Sequence, residues 1–138
     1  MQLQQQILKL FSFLKLSDEE VFSAHFVPFR SPGWDALPKK PEALSIARAI
    51  WRWLLPQVAF DRVICVGKNV AGEGIAELLG ARPSGSHPLG WKGQTADSYT
   101  LGDGRSIVAL PHLSRFLLFN RAACEPVLRN LFTDMIEK

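Results

Sequence analysis

Over residues 2–16 the apolar side chains Leu3, Ile7, Leu8, Leu10, Phe11 and Leu14 recur at mixed three- and four-residue steps, the pattern of a helix with one face docked on a core. Ser17 and Glu20 have the Ser-x-x-Glu spacing of a capping box and predict a short helical turn. Val21, Phe22, Phe26, Val27 and Phe29 have the composition of a strand interior, with Pro28 marking its end. A loop follows, marked by Pro32-Gly33, Pro38 and Pro41. From Ala43 through Leu44, Ile46, Ala47, Ile50, Trp51, Leu54 and Leu55 the pattern is again helical, broad on its apolar face and closed by Pro56. Trp51 and Trp53 read as packing residues of that helix rather than as platforms for bases.

Residues 60–67, Phe-Asp-Arg-Val-Ile-Cys-Val-Gly, are nearly continuous in apolar and β-branched character, as expected of a parallel strand covered on both faces. A helix is predicted over residues 69–79 with Gly80 as its cap. The glycine-rich stretch 81–104 holds short candidate strands at 89–91 and 98–101, and Asp103-Gly104 reads as a hairpin turn. The apolar run 106–110 predicts a buried strand that stops at Pro111-His112-Leu113-Ser114-Arg115. A last helix is expected over residues 121–137, turning Ala123, Val127, Leu128, Leu131, Phe132 and Met135 inward. Strands alternating with helices predict an α/β domain of three-layer αβα form, with a short, mostly parallel sheet and one domain spanning residues 1–138.

The 138-residue length suits a single core, and 47% apolar with 21% charged residues excludes a disordered or fibrous chain. Sixteen Lys and Arg against 13 Asp and Glu give a net charge of +3, a mild bias toward anionic partners that permits nucleic acid without requiring it. Cys65 and Cys124 lie far apart and read as buried free thiols, neither a disulfide framework nor a metal set, so no cofactor is expected. No leader-like segment or membrane-length apolar run stands out, which points to a cytoplasmic protein without a membrane partner. Gly67, Gly72 and Gly74 beside Lys68 match neither the Walker pattern nor the dinucleotide fingerprint, and close helix-on-strand packing explains them better than a phosphate site.

Ligands of open α/β sheets collect beyond the carboxyl ends of the strands, so residues 111–116 are the first candidate site. Three segments there and upstream carry a family resemblance. Pro111-His112-Leu113-Ser114-Arg115-Phe116 resembles the His-Pro-Ser motif that closes the final strand of the uracil-DNA glycosylase superfamily, with leucine in place of its proline. Val63-Ile64-Cys65-Val66-Gly67-Lys68 is similar to that family's Gly-ended strand and helix start, and Phe26-Val27-Pro28-Phe29-Arg30 to the segment after its base-reading strand. The resemblance extends over the C-terminal two-thirds or so of the family domain. The family's opening strand and loop, with the water-activating Asp or Asn, have no counterpart in this sequence, and His25 stands where the family reads the base with Asn.

That resemblance implies a DNA-binding protein of the glycosylase type, excising or recognising uracil or a damaged base. Its alternative is a non-catalytic, shortened module that binds nucleic acid or covers an exposed sheet edge with a protein partner or a second copy. Under the first reading His112 is the catalytic donor to the base, and His25 and Trp34 read the base. Arg30, Ser31, Ser114 and Arg115 then contact DNA, with Leu113 and Phe116 as a surface wedge that fills the gap left by a flipped base. Each has a plainer role beside it: a helix-capping histidine at 112, an N-cap serine at 114 and core packing for Phe116.

Overall fold

The computed structural model describes residues 2–28 and 34–133. Helix α1 (Gln2–Leu14) buries Leu10 and Leu14, while Leu8, counted on the docked face by spacing, points to solvent at 67% exposure. Lys15 adopts a left-handed conformation at its end, and the Leu16 amide returns to the Phe11 carbonyl. The capping-box spacing is used: the Ser17 amide and hydroxyl both donate to the Glu20 carboxylate, bracketing a single 3-10 turn at Asp18–Glu20.

Residues 21–28 do not form the expected strand. They run as irregular chain whose anchor is Phe26, stacked on Trp51 at 6.2 Å between centroids, while the Trp51 indole N–H donates to the Phe26 carbonyl. Phe26 pins this segment to helix α2 (Lys40–Leu54), while Phe22 is 54% exposed. Trp51 packs as predicted; Trp53 does not, being 66% exposed.

Four strands follow: β1 (Arg62–Val66), β2 (Arg82–Pro88), β3 (Thr95–Thr100) and β4 (Ser106–Leu110), in the order β1-β4-β3-β2. Among the described residues only β1 and β4 pair in parallel; β4–β3 and β3–β2 are antiparallel. The sheet is therefore mostly antiparallel, correcting the expectation of a mostly parallel one. The physical reason is the hairpin connection. Residues 101–105 turn with Gly104 at a positive φ, and Leu101 N–H bonds to the Arg105 carbonyl, so β3 leads straight back beside β4 without a crossover.

β4 is central, and its pleat divides the core. Val108 and Leu110 join Leu10, Leu14, Leu113, Leu118, Leu128 and Phe132, whereas Ile107 and Ala109 join Phe26, Ala47, Ile75 and Ala76. The second cluster includes helix α3 (Glu73–Leu79), preceded by a π-turn at Lys68–Gly72 and capped by left-handed Gly80 as predicted. Helix α4 (Glu125–Leu131) starts at Glu125 rather than at the expected Arg121; Pro126 sits in its first turn, Leu128 is buried and Ala123 is exposed ahead of it. Met135 lies outside the described residues. Both cysteines are free and buried, and burial pushes the Cys65 thiol up to about 12, so it stays protonated and inert.

Candidate functional site

The parallel pair β1/β4 ends in two turns that lie side by side. The Gly67 amide bonds to the Leu110 carbonyl at 2.8 Å, extending the ladder one step past β1, and Gly67 takes a positive φ of 114° to leave it. A Cβ on Gly67 would lie 3.7 Å from the His112 ring, so the two turns are in contact range. The π-turn then closes with the Gly72 amide on the Gly67 carbonyl. A Cβ on Gly72 would stand 2.8 Å from Ala109 Cβ, and one on Gly74 only 2.4 Å from the Phe26 ring. These glycines serve close packing, as expected. Lys68 is drawn away across the sheet: its ammonium donates to Thr95 Oγ1 at 2.7 Å and lies 3.9 Å from the Asp97 carboxylate.

Beyond β4, residues 111–119 alternate between anchors and outward groups. Leu113 and Leu118 are fully buried, Phe119 nearly so, and Pro111 is buried beside them. Leu113 thus belongs to the core and corrects the expectation of a surface wedge; its side chain fixes the loop instead. Gln6 supplies a second fixing point that the sequence did not reveal. Its buried amide donates to the Phe119 carbonyl at 3.3 Å and accepts from the Phe119 N–H at 3.0 Å, tying α1 to the loop as a second strand would.

With those anchors inward, His112, Ser114 and Arg115 face solvent. The Ser114 N–H donates to His112 Nδ1 at 3.2 Å, and the Ser114 hydroxyl lies 2.6 Å from the same nitrogen. A ring nitrogen that accepts an amide N–H carries no proton, so the proton of the neutral imidazole sits on Nε2. Partial burial, and secondarily the Arg115 charge, hold the His112 pKa below the ordinary histidine value. The result is a neutral histidine with Nε2–H as its remaining donor. The His112 carbonyl in turn accepts from the Arg115 and Phe116 amides, closing the turn that sets the ring's orientation.

Phe116 is half-buried and meets Trp91 edge-on at 6.2 Å. Around Trp91 stand the Arg121 guanidinium, 3.5 Å from the ring centroid, and the Lys92 ammonium at 4.8 Å. Together with Arg115 these cations give the His112 end of the sheet a positive, aromatic margin. Trp91 and Arg121 were not singled out by sequence; an aromatic followed by lysine in a glycine-rich loop was the signal that could have flagged the first.

The remaining residues singled out by sequence are His25, Trp34, Arg30 and Ser31. His25 is exposed, one residue before the Phe26 anchor. Trp34 lies in the 3-10 turn Trp34–Ala36, where the Asp35 carbonyl accepts from Lys40, and Arg30 and Ser31 lie outside the described residues. Among the described residues no cluster of His, Cys, Asp or Glu has the arrangement of a metal site, and no helix is long and apolar enough to cross a membrane. Compared with protein families, with curated proteins and with solved structures, the chain gives no match.

Proposed function

We propose that this chain is a DNA-binding module of the uracil-DNA glycosylase type, an αβα domain in which His112 donates from Nε2 to an acceptor on an extruded base. The observation that carries the reading is the Ser114 amide on His112 Nδ1, which leaves a neutral ring with one donor. A carbonyl oxygen that gains negative charge as a glycosidic bond weakens is stabilised by a neutral donor of fixed direction. Arg115, with Lys92 and Arg121 around Trp91, supports phosphate contacts at the rim. Ser114 serves both its cap of His112 and the DNA backbone.

Recognition of the base is the role assigned to His112; removal of the base needs a group that orients water, and no such role is assigned to any residue of this chain. The alternative, a non-catalytic module paired with a partner at a sheet edge, is not favoured at β2, where Pro83 and Pro88 withhold amide donors and a bulge falls between Pro83 and Gly85. The test is a salt series of binding to single-stranded uracil-containing oligonucleotides, with product analysis for base release. Binding that weakens with salt and weakens further in Arg115→Ala is expected. Binding indifferent to both removes the nucleic-acid reading.

A further inference from the structure

From Val63 to Val66 strand β1 is uncharged and apolar, the composition of a strand with neighbours on both sides, yet it stands at one edge of the sheet. Which of its backbone groups face β4 follows from the two ends of the ladder. The Ser106 amide donates to the Asp61 carbonyl at 3.4 Å, and the Gly67 amide donates to the Leu110 carbonyl at 2.8 Å. In a parallel pair a residue turns its N–H and C=O to the same side and its neighbours turn theirs to the other, so Val63 and Cys65 bond β4 as Asp61 and Gly67 do. Ile64 and Val66 therefore direct their backbone groups away from the sheet. On that side neither has a hydrogen-bond partner among the described residues.

The two edges of the sheet differ in how they treat such groups. β2 is blunted by Pro83 and Pro88, whereas β1 carries neither a proline nor a charge between Val63 and Val66. Val63, Ile64 and Val66 are only half-buried, although Ile64 and Val66 pack on one cluster of the core and Val63 on the other. The edge is also complementary to itself. When two copies of β1 run antiparallel about a two-fold axis beside Cys65, Ile64 of one copy stands opposite Val66 of the other, and at both positions each N–H meets a C=O. Val63 then stands opposite Gly67, which has no side chain to obstruct it. A second copy thus matches the edge in hydrogen bonding and in apolar character together. A strand of this length buries less than the roughly 1,200 Å² of a standard interface, so the pairing is reversible and depends on concentration.

We propose that two copies of the chain pair antiparallel along β1 and join their four-stranded sheets into one continuous sheet. The test is sedimentation velocity of the full chain over about a hundred-fold range of concentration, with amide hydrogen exchange followed residue by residue at both ends of that range. No nucleic acid enters the measurement, so its outcome is separate from that of the DNA reading. A mass rising from one chain toward two is expected. The Ile64 and Val66 amides should be protected only at high concentration, whereas those of Val63 and Cys65 are protected throughout. Ile64→Pro withholds an N–H that β4 does not use, and should weaken the dimer about ten-fold or more. Val63→Lys, a second variant, sets a charge on the edge, the device by which edge strands refuse partners, and should weaken it as well. Protection of the Cys65 amide reports whether each variant is folded. A one-chain mass over the whole range, a dimer of unchanged strength in a folded variant, or protection that grows on β2 instead would overturn the proposal. So would Ile64 and Val66 amides protected equally at both concentrations.

Discussion

The two halves of the sheet are built on different terms. After Arg62 and Ser106, β1 and β4 are continuous apolar runs whose side chains enter both clusters of the core, and their parallel pairing brings two carboxyl ends together at Gly67 and His112. β2 and β3, Arg-Pro-Ser-Gly-Ser-His-Pro and Thr-Ala-Asp-Ser-Tyr-Thr, are polar segments held mainly by the hairpin ladder, with Ala96 fully buried between them and the core. One half carries burial and the other carries hydroxyls, arginine and histidine. A parallel pair needs cover on both faces, whereas an antiparallel hairpin tolerates a face left open to water.

The largest effect that tests this division is expected at Leu110. It is fully buried on β4, so Leu110→Ala should cost about 2–5 kcal/mol in urea unfolding, whereas Thr100→Ala, exposed at the end of β3, should stay within about 0.5 kcal/mol. Equal costs would end the distinction. Next comes Gly74→Ala, whose Cβ would collide with the Phe26 ring; displacing that ring from Trp51 should cost about 1–3 kcal/mol and loosen residues 21–28. Lys68 crosses from one half to the other through Thr95 and Asp97. Lys68→Met keeps the stem and removes those bonds, with an expected loss of about 0.5–1 kcal/mol and an altered Thr95 amide shift.

The smallest expected effect is a pH dependence. Because His112 binds its proton less readily in the folded chain than in the unfolded one, its contribution is complete above the ordinary histidine pKa near 6.5. That contribution is lost as pH falls from there through the lowered folded value, and His112→Gln should remove this part of the acid sensitivity. An unchanged profile in the variant would place the sensitivity elsewhere.

The same division explains what the sequence made legible. The runs at residues 60–67 and 106–110, the Asp103-Gly104 turn, Gly80 and the packing role of Gly72 and Gly74 were all readable, because apolar runs and glycine turns are local signals. Strands β2 and β3 were misplaced because their residues follow the ladder rather than an apolar pattern, and the sheet's direction went wrong with them. Residues 21–28 failed in the opposite way: Phe22 and Phe26 resembled a strand interior, but Phe22 is exposed and Phe26 serves as a single anchor on Trp51. At the site, the position of residues 111–116 was readable. Leu113 was not, since nothing in a Leu-Ser-Arg string tells which side chain turns inward. Gln6 escaped for a related reason, as a glutamine among glutamines at the start of a helix gives no sign that it will bond a loop more than a hundred residues away.

The central proposal is that the Ser114 amide on Nδ1 fixes the tautomer of a neutral His112, which presents Nε2–H to a base. Nitrogen-15 chemical shifts of the His112 ring, recorded at pH 7 with and without a uracil-containing oligonucleotide, test it most directly. The account predicts an unprotonated Nδ1 and a protonated Nε2 in the free chain, and a change at Nε2 on binding that an oligonucleotide with an abasic analogue at the uracil position does not produce. A ring protonated on Nδ1, or the same Nε2 change with both oligonucleotides, would contradict it.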